Sequence, residues 1–316
     1  MPAHALFTKS LLASICGCLY GLACLADSRR AADEPGQPAV APQRCWAVIF
    51  QGLPGDADHA RKFQAVTDEL QAWLTESLEF PEEQVLRLPD TSTTDAEQTP
   101  PLTADVMRST LESLTAKLQA EDALWIFTVG HGSHDGKRAW FHVAGRDPSD
   151  VDFAGWMAGV RCREQVLWLT HSSSGWMVKP LSRPGRIIIA ATAADDEPNE
   201  TEFPHALVSI TRRQPVELDV SGDGRVSVTE FYTAVVAEVE RRYKKDNRLA
   251  TEHAQLDDNG DGIGSETTGE PLETGDEPRP ANSSRRDGGL ARLTWIPDRR
   301  IGTQHQTLKT EAEVEP

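Results

Sequence analysis

The sequence predicts an α/β fold, a doubly wound and mostly parallel sheet, with a further helical segment appended behind it. Short apolar runs recur along the first two thirds of the chain, and several lack the polar alternation of a half-exposed strand. Between them lie stretches whose apolar residues repeat at helical spacing. Strands that alternate with helices in this way imply right-handed crossovers and therefore parallel pairing. No internal repeat and no glycine-rich phosphate loop interrupts the pattern.

The first strand is Cys45-Trp-Ala-Val-Ile-Phe-Gln51, followed by a turn over 52–58. Phe63, Val66, Leu70, Trp73 and Leu74 then share one helical face within 60–78. Residues 84–88 form a second short strand, and a polar loop covers 89–101. Thr103 is placed to cap a helix carrying Val106, Met107, Leu111, Leu114 and Leu118. Residues 124–129, 165–170 and 186–190 are the third, fourth and fifth strands. The α/β domain is thereby expected over 44–212.

Two strands end in polar clusters, Gly130-His131-Gly132 and His171-Ser172-Ser173-Ser174-Gly175. Ligand sites in open α/β sheets lie at the carboxyl ends of strands, so neighbouring strands would set His131 beside Ser172 there. An ordinary strand-to-loop turn is the plain alternative. These two clusters, with the later segment Ile189-Ala-Ala-Thr-Ala-Ala-Asp-Asp-Glu-Pro-Asn-Glu-Thr201, resemble the legumain-like cysteine peptidases and, more distantly, the caspases. The likeness runs from about residue 46 to 210. It implies His131 as the catalytic histidine, Ser172 at the nucleophile position, and 191–201 as part of a specificity pocket.

Where legumains read Glu-Ala-Cys-Glu-Ser-Gly, this chain reads Thr170-His-Ser-Ser-Ser-Gly175. A cysteine with a pKa of about 8.5 offers some thiolate at neutral pH. A serine needs a base within hydrogen-bond reach, held by a third group. Asp135 is near in sequence, but no orienting carboxylate is evident. The reading favours a degenerate scaffold that serves binding or structure, with a protein or peptide ligand at the strand ends. The alternative is an active, calcium-supported hydrolase using a Ser172–His131 dyad. A zinc site from His131, His134 and His171 is a third reading, though their spacing follows no pattern.

Behind the sheet, Asp219-Val-Ser-Gly-Asp-Gly-Arg-Val-Ser-Val-Thr-Glu230 has the spacing of a calcium loop and resembles an EF-hand. Asp219, Ser221 and Asp223 take the first, third and fifth positions, and Gly224 stands at the sharp turn. Arg225 contributes its carbonyl, Ser227 takes the ninth position, and Glu230 closes the site with two oxygens. Val226 is the apolar residue that would pin the loop to a neighbour. Phe231, Val235, Val239 and Tyr243 mark an exiting helix, while Pro215 interrupts an entering helix at 206–211. The calcium segment is expected over 213–248. Three carboxylates and two serines point to modest affinity. A second, weaker loop at 249–268 places Asp257, Asn259 and Asp261 before Gly262, but Thr268 stands where a carboxylate is needed. Glu266 or another segment would have to complete it, and an acidic turn is the alternative reading.

With 32 Lys+Arg against 49 Asp+Glu the net charge is −17, and no basic stripe offsets it, which excludes a nucleic-acid partner. Residues 1–26 read as an export signal, with Lys9 before an apolar core and Ala26 at the cut. A periplasmic or secreted protein without a transmembrane span is expected, with a lipoprotein cut before Cys18 or Cys24 as the alternative. Cys45 and Cys162 are too few for a disulfide framework. Residues 27–43 read as a disordered linker, and 269–316 as a mostly disordered acidic tail in which only 290–296 could dock.

Overall fold

The computed structural model describes residues 42, 44–89, 99–195, 197–268 and 287–298. The segment read as an export signal, with Cys18 and Cys24, nearly all of the stretch read as a linker, and most of the tail lie outside the described residues. The fold is α/β, with helices flanking a mostly parallel six-stranded sheet. In chain order the strands are β1 (Cys45–Gln51), β2 (Val85–Leu88), β3 (Ala123–Val129), the hairpin pair β4 (Gly132–His134) and β5 (Ala139–Phe141), β6 (Glu164–Leu169), β7 (Ile187–Ala190) and β8 (Gln255–Asp257).

Sheet order is β2-β1-β3-β6-β7-β8, with β4 and β5 paired apart from it. Cys45 lies opposite Ala123 and Gln51 opposite Val129, so β1 and β3 run in step. Thr128 lies opposite Leu169, which brings the carboxyl ends of β3 and β6 side by side. Among the described strands of the six-stranded sheet only β8 runs antiparallel, with Ala190 opposite Gln255, and the separate β4–β5 pair is antiparallel too. Its three residues are too short for a periodic signal, so the sequence reading passed over it and saw only the acidic loop that follows.

The helices are α1 (Ala57–Ala72), α2 (Ala104–Lys117), α3 (Asp150–Met157), α4 (Gly175–Leu181), α5 (Phe203–Thr211), α6 (Pro215–Leu218) and α7 (Val228–Lys245). Every residue of β3 is buried, which explains its unbroken apolar run. Trp125 and Phe127 face α1, α5 and α7. Leu124 and Ile126 face α2, α3 and α4. Thr103 caps α2 by accepting from the Val106 amide at 3.3 Å. Val106 itself is exposed, because the buried stripe of α2 runs through Met107, Leu111 and Leu114 one step away.

The segment expected as an appendage is part of the core. Phe231 of α7 stacks on Trp73 with centroids 5.2 Å apart and meets Trp168 of β6 edge-on at 5.7 Å. Val235, Val239 and Tyr243 continue the same buried stripe. Burying each such side chain is worth about 1.5–3 kcal/mol, so α7 belongs to the helical layer over the sheet. Among the described residues, no helix is long and apolar enough to cross a membrane.

Candidate functional site

His131 is separated from the end of β3 by Gly130 alone, and its Nε2 lies 3.2 Å from the Pro54 carbonyl. A carbonyl only accepts, so Nε2 carries the proton and Nδ1 is left as the lone-pair nitrogen. The ring is wedged between Phe63 and His59, with centroids 5.0 and 4.9 Å away. Burial lowers its pKa, partly opposed by the Pro54 carbonyl, and nearby His59 lowers it further. His59 has the opposite setting: Glu200 at 3.0 Å and Asp56 at 2.7 Å flank its two nitrogens and raise its pKa. A neutral imidazole thus sits against one that favours its charged form.

Ser172 is buried one strand away. Its hydroxyl donates to the Gly132 carbonyl at 3.0 Å and accepts from the Gly132 amide at 3.1 Å. The structure therefore brings the Ser172 side chain to the residue after His131, and its proton is committed to a carbonyl. His171 points into the opposite layer, wholly buried, with Nδ1 donating to the Ser172 carbonyl at 2.9 Å. Burial takes its pKa down to about 4, and Nε2 has no partner. Ser173 adopts a φ of 60°, an uncommon conformation for a non-glycine residue. Its hydroxyl is buried and unpaired.

The turn is closed by tight contacts. Ser174 Oγ accepts from the Ala191 amide at 2.9 Å, and the Gly175 amide donates to Thr192 Oγ1 at 3.0 Å. The 191–201 segment also packs here, with Thr201 Oγ1 donating to the Thr170 carbonyl at 2.7 Å. Sequence reasoning missed the pair beside it. Glu197 is buried, accepts from the amides of Ala193 (2.7 Å) and His253 (3.0 Å), and forms an ion pair with the His253 ring. A cleft of about 670 Å³ lies beyond Glu200, lined by Lys62, Glu202, His205, Arg242 and Arg248 among others.

The three histidines considered for zinc part company. His131 goes to Pro54, His171 is sealed beneath Phe141, and His134 stacks on Trp176 at 4.9 Å. Among the described residues no three His, Cys, Asp or Glu side chains are gathered to hold a metal, in the 219–230 loop as among these histidines, so the zinc reading is set aside and the calcium reading rests on the spacing of the loop.

In the 219–230 loop the carboxylates hold the loop's own amides. Asp219 Oδ1 accepts from Gly222 N at 2.7 Å and Oδ2 from Gly224 N at 2.8 Å. Asp223 accepts from Arg225 N at 2.9 Å. Glu230 accepts from Ser221 N and Ser227 N, each at 2.8 Å, and forms a capping box with Ser227 at the start of α7. Gly224 has a φ of 80°, the left-handed turn its position demands. The entering side is reduced to the single turn α6, because α5 ends at Thr211 and Pro215 starts anew. The residue types at this spacing offer only oxygen atoms, three of the side chains being carboxylates, which is the chemistry a hard divalent cation takes.

The second loop is organised differently. Asp257 is buried and accepts from Gly260 N at 3.2 Å, Asn259 from Asp261 N at 2.8 Å, and Asp261 from Ile263 N at 2.9 Å. Asp258, which the spacing argument left out, grips the 287–298 segment through Gly288 N at 3.0 Å and Ala291 N at 2.7 Å. That portion of the tail is docked.

No protein-family model matches this chain, and a search of curated proteins returns no match.

Proposed function

We propose that this is an exported calcium-binding protein whose legumain- or caspase-like domain serves binding or structure and has lost acyl transfer. The observation that carries the second half is the Ser172 hydroxyl, whose donor and acceptor roles both go to Gly132. A serine nucleophile must give its proton to a base, and here the proton rests on a backbone carbonyl. The calcium half rests on the oxygen ligands of Asp219, Ser221, Asp223, Arg225 and Glu230 around a left-handed Gly224. A bound cation would neutralise three carboxylates now held by the loop's own amides and by the Ser221 and Ser227 hydroxyls. The acidic 257–261 turn is a second, weaker candidate through Asp257, Asn259 and Asp261.

One observation favours a working hydrolase as the second reading. The Pro54 carbonyl holds His131 in the tautomer whose Nδ1 can accept a proton, which supplies an orienting group without a carboxylate. The mature protein is expected to show no cleavage of peptides after Asn, Asp, Lys or Arg. Turnover that disappears in both His131→Ala and Ser172→Ala would establish the hydrolase instead.

Ser172→Cys separates lost chemistry from lost architecture. A thiol at position 172 that reaches His131 Nδ1 can hand that nitrogen its proton and form a thiolate–imidazolium pair, so it should alkylate rapidly at about pH 6, at least about tenfold faster than in the His131→Ala background. Cys45 and Cys162 lie at the amino-terminal ends of their strands, and burial pushes each thiol up to about 12, which makes them slow internal controls. Alkylation indifferent to His131 would reduce the resemblance to one of fold alone.

A further inference from the structure

We propose that residues 287–298 are the partner strand of the calcium loop, a clasp whose docking and calcium occupancy strengthen each other; this rests on the calcium reading above. The segment meets the loop at its centre. Ile296 N donates to the Val226 carbonyl and Val228 N to the Thr294 carbonyl, each at 2.8 Å, around an antiparallel bridge of Ser227 with Trp295. The Arg225 guanidinium lies over the Trp295 ring, 5.3 Å from its centroid. The chain thus supplies the neighbour that Val226 needs from its own tail.

The other end of the segment is fastened to a different element. The Asp258 carboxylate takes the Gly288 and Ala291 amides, and Asp287 returns the contact by accepting from Asp258 N at 3.2 Å and from the Ser265 hydroxyl. Ala291 and Ile296 are buried in the same core as α7. Twelve residues therefore bridge the two acidic loops and are held at both ends.

The residues the clasp grips are the ones ligation needs fixed. Arg225 presents its carbonyl to the cation, and Val226 to Val228 lead directly into Glu230. A loop free to move over that stretch must be ordered when the ion binds, and ordering costs affinity. A docked clasp removes that cost in advance. By linkage, calcium must favour the docked clasp by the same factor that the clasp favours calcium.

Hydrogen exchange on the full mature chain reads one side of this relation. Amides of 287–298 should exchange about tenfold more slowly in saturating calcium than in chelator. Titration calorimetry reads the other: Asp258→Ala, which frees the far end, and Trp295→Ala, which lies outside both acidic loops, should each weaken calcium binding about tenfold. If Asp258→Ala fails to fold, Trp295→Ala decides. Calcium binding with wild-type affinity in the variants, together with exchange indifferent to calcium, would overturn the clasp and leave the calcium site standing. A full chain that takes up no calcium would overturn both.

Discussion

Gly175→Ala is expected to cost more than about 3 kcal/mol, a large share of a folded protein's total stability. A Cβ at Gly175 would stand 2.3 Å from the carbonyl carbon of Ala193 and from the Thr192 carbonyl oxygen. Both obstacles are backbone at the end of β7, so neither can swing aside as a side chain would. The strain would fall on the turn that carries Ser172 and Ser173. Gly155 in α3 supplies the control, since nothing lies within 4 Å of a Cβ built there. Gly155→Ala should stabilise by up to about 1 kcal/mol, as alanine does in a helix interior. Urea melts of the two variants measure the contrast. A Gly175→Ala protein as stable as wild type would mean that the approach of the 172–175 turn to β7 is looser than described.

Calcium should stabilise the folded chain by about 2.7 kcal/mol at a hundredfold excess over Kd. For a chain of this size that is a rise in Tm of roughly 5–10 °C. Glu230→Gln should abolish most of the increment. The same substitution should change less in chelator, because glutamine can still complete the capping box with Ser227 and gives up only the Ser221 amide contact. The variant thereby separates the ligand role of Glu230 from its role at the start of α7. Thermal melts in calcium and in chelator make the test, and an unchanged Tm for the wild type would remove the structural role of calcium.

The central strands were legible because β1, β3 and β6 are apolar on both faces and stop abruptly at polar residues. That same abruptness pointed to His131 and Ser172, which do lie at adjoining strand ends. What orients His131 was not legible, since the group is the Pro54 carbonyl and every residue carries a carbonyl. The Glu197–His253 pair was hidden for another reason: 56 positions separate the two, and only the return of the chain to form β8 brings them together. The docking role of Asp258 was obscured by the motif around it, since the spacing directs attention to Asp257, Asn259 and Asp261. The calcium loop was read from spacing alone, but spacing does not reveal that α7 leaves the loop only to press Phe231 into the sheet.

That placement of α7 limits how the loop can respond to an ion. Sensor loops of this kind work by swinging one helix away from the other to expose an apolar groove. Here the entering side is a single turn, and the exiting helix is wedged by Phe231 between Trp73 and Trp168. Swinging α7 outward would leave a void the size of a phenylalanine under the sheet, at a cost of about 3–5 kcal/mol. The differential affinity of a modest cation site does not cover such a movement. On the calcium reading proposed above, an ion in this loop would therefore act as a rivet at the end of a fixed beam rather than as the trigger of a lever.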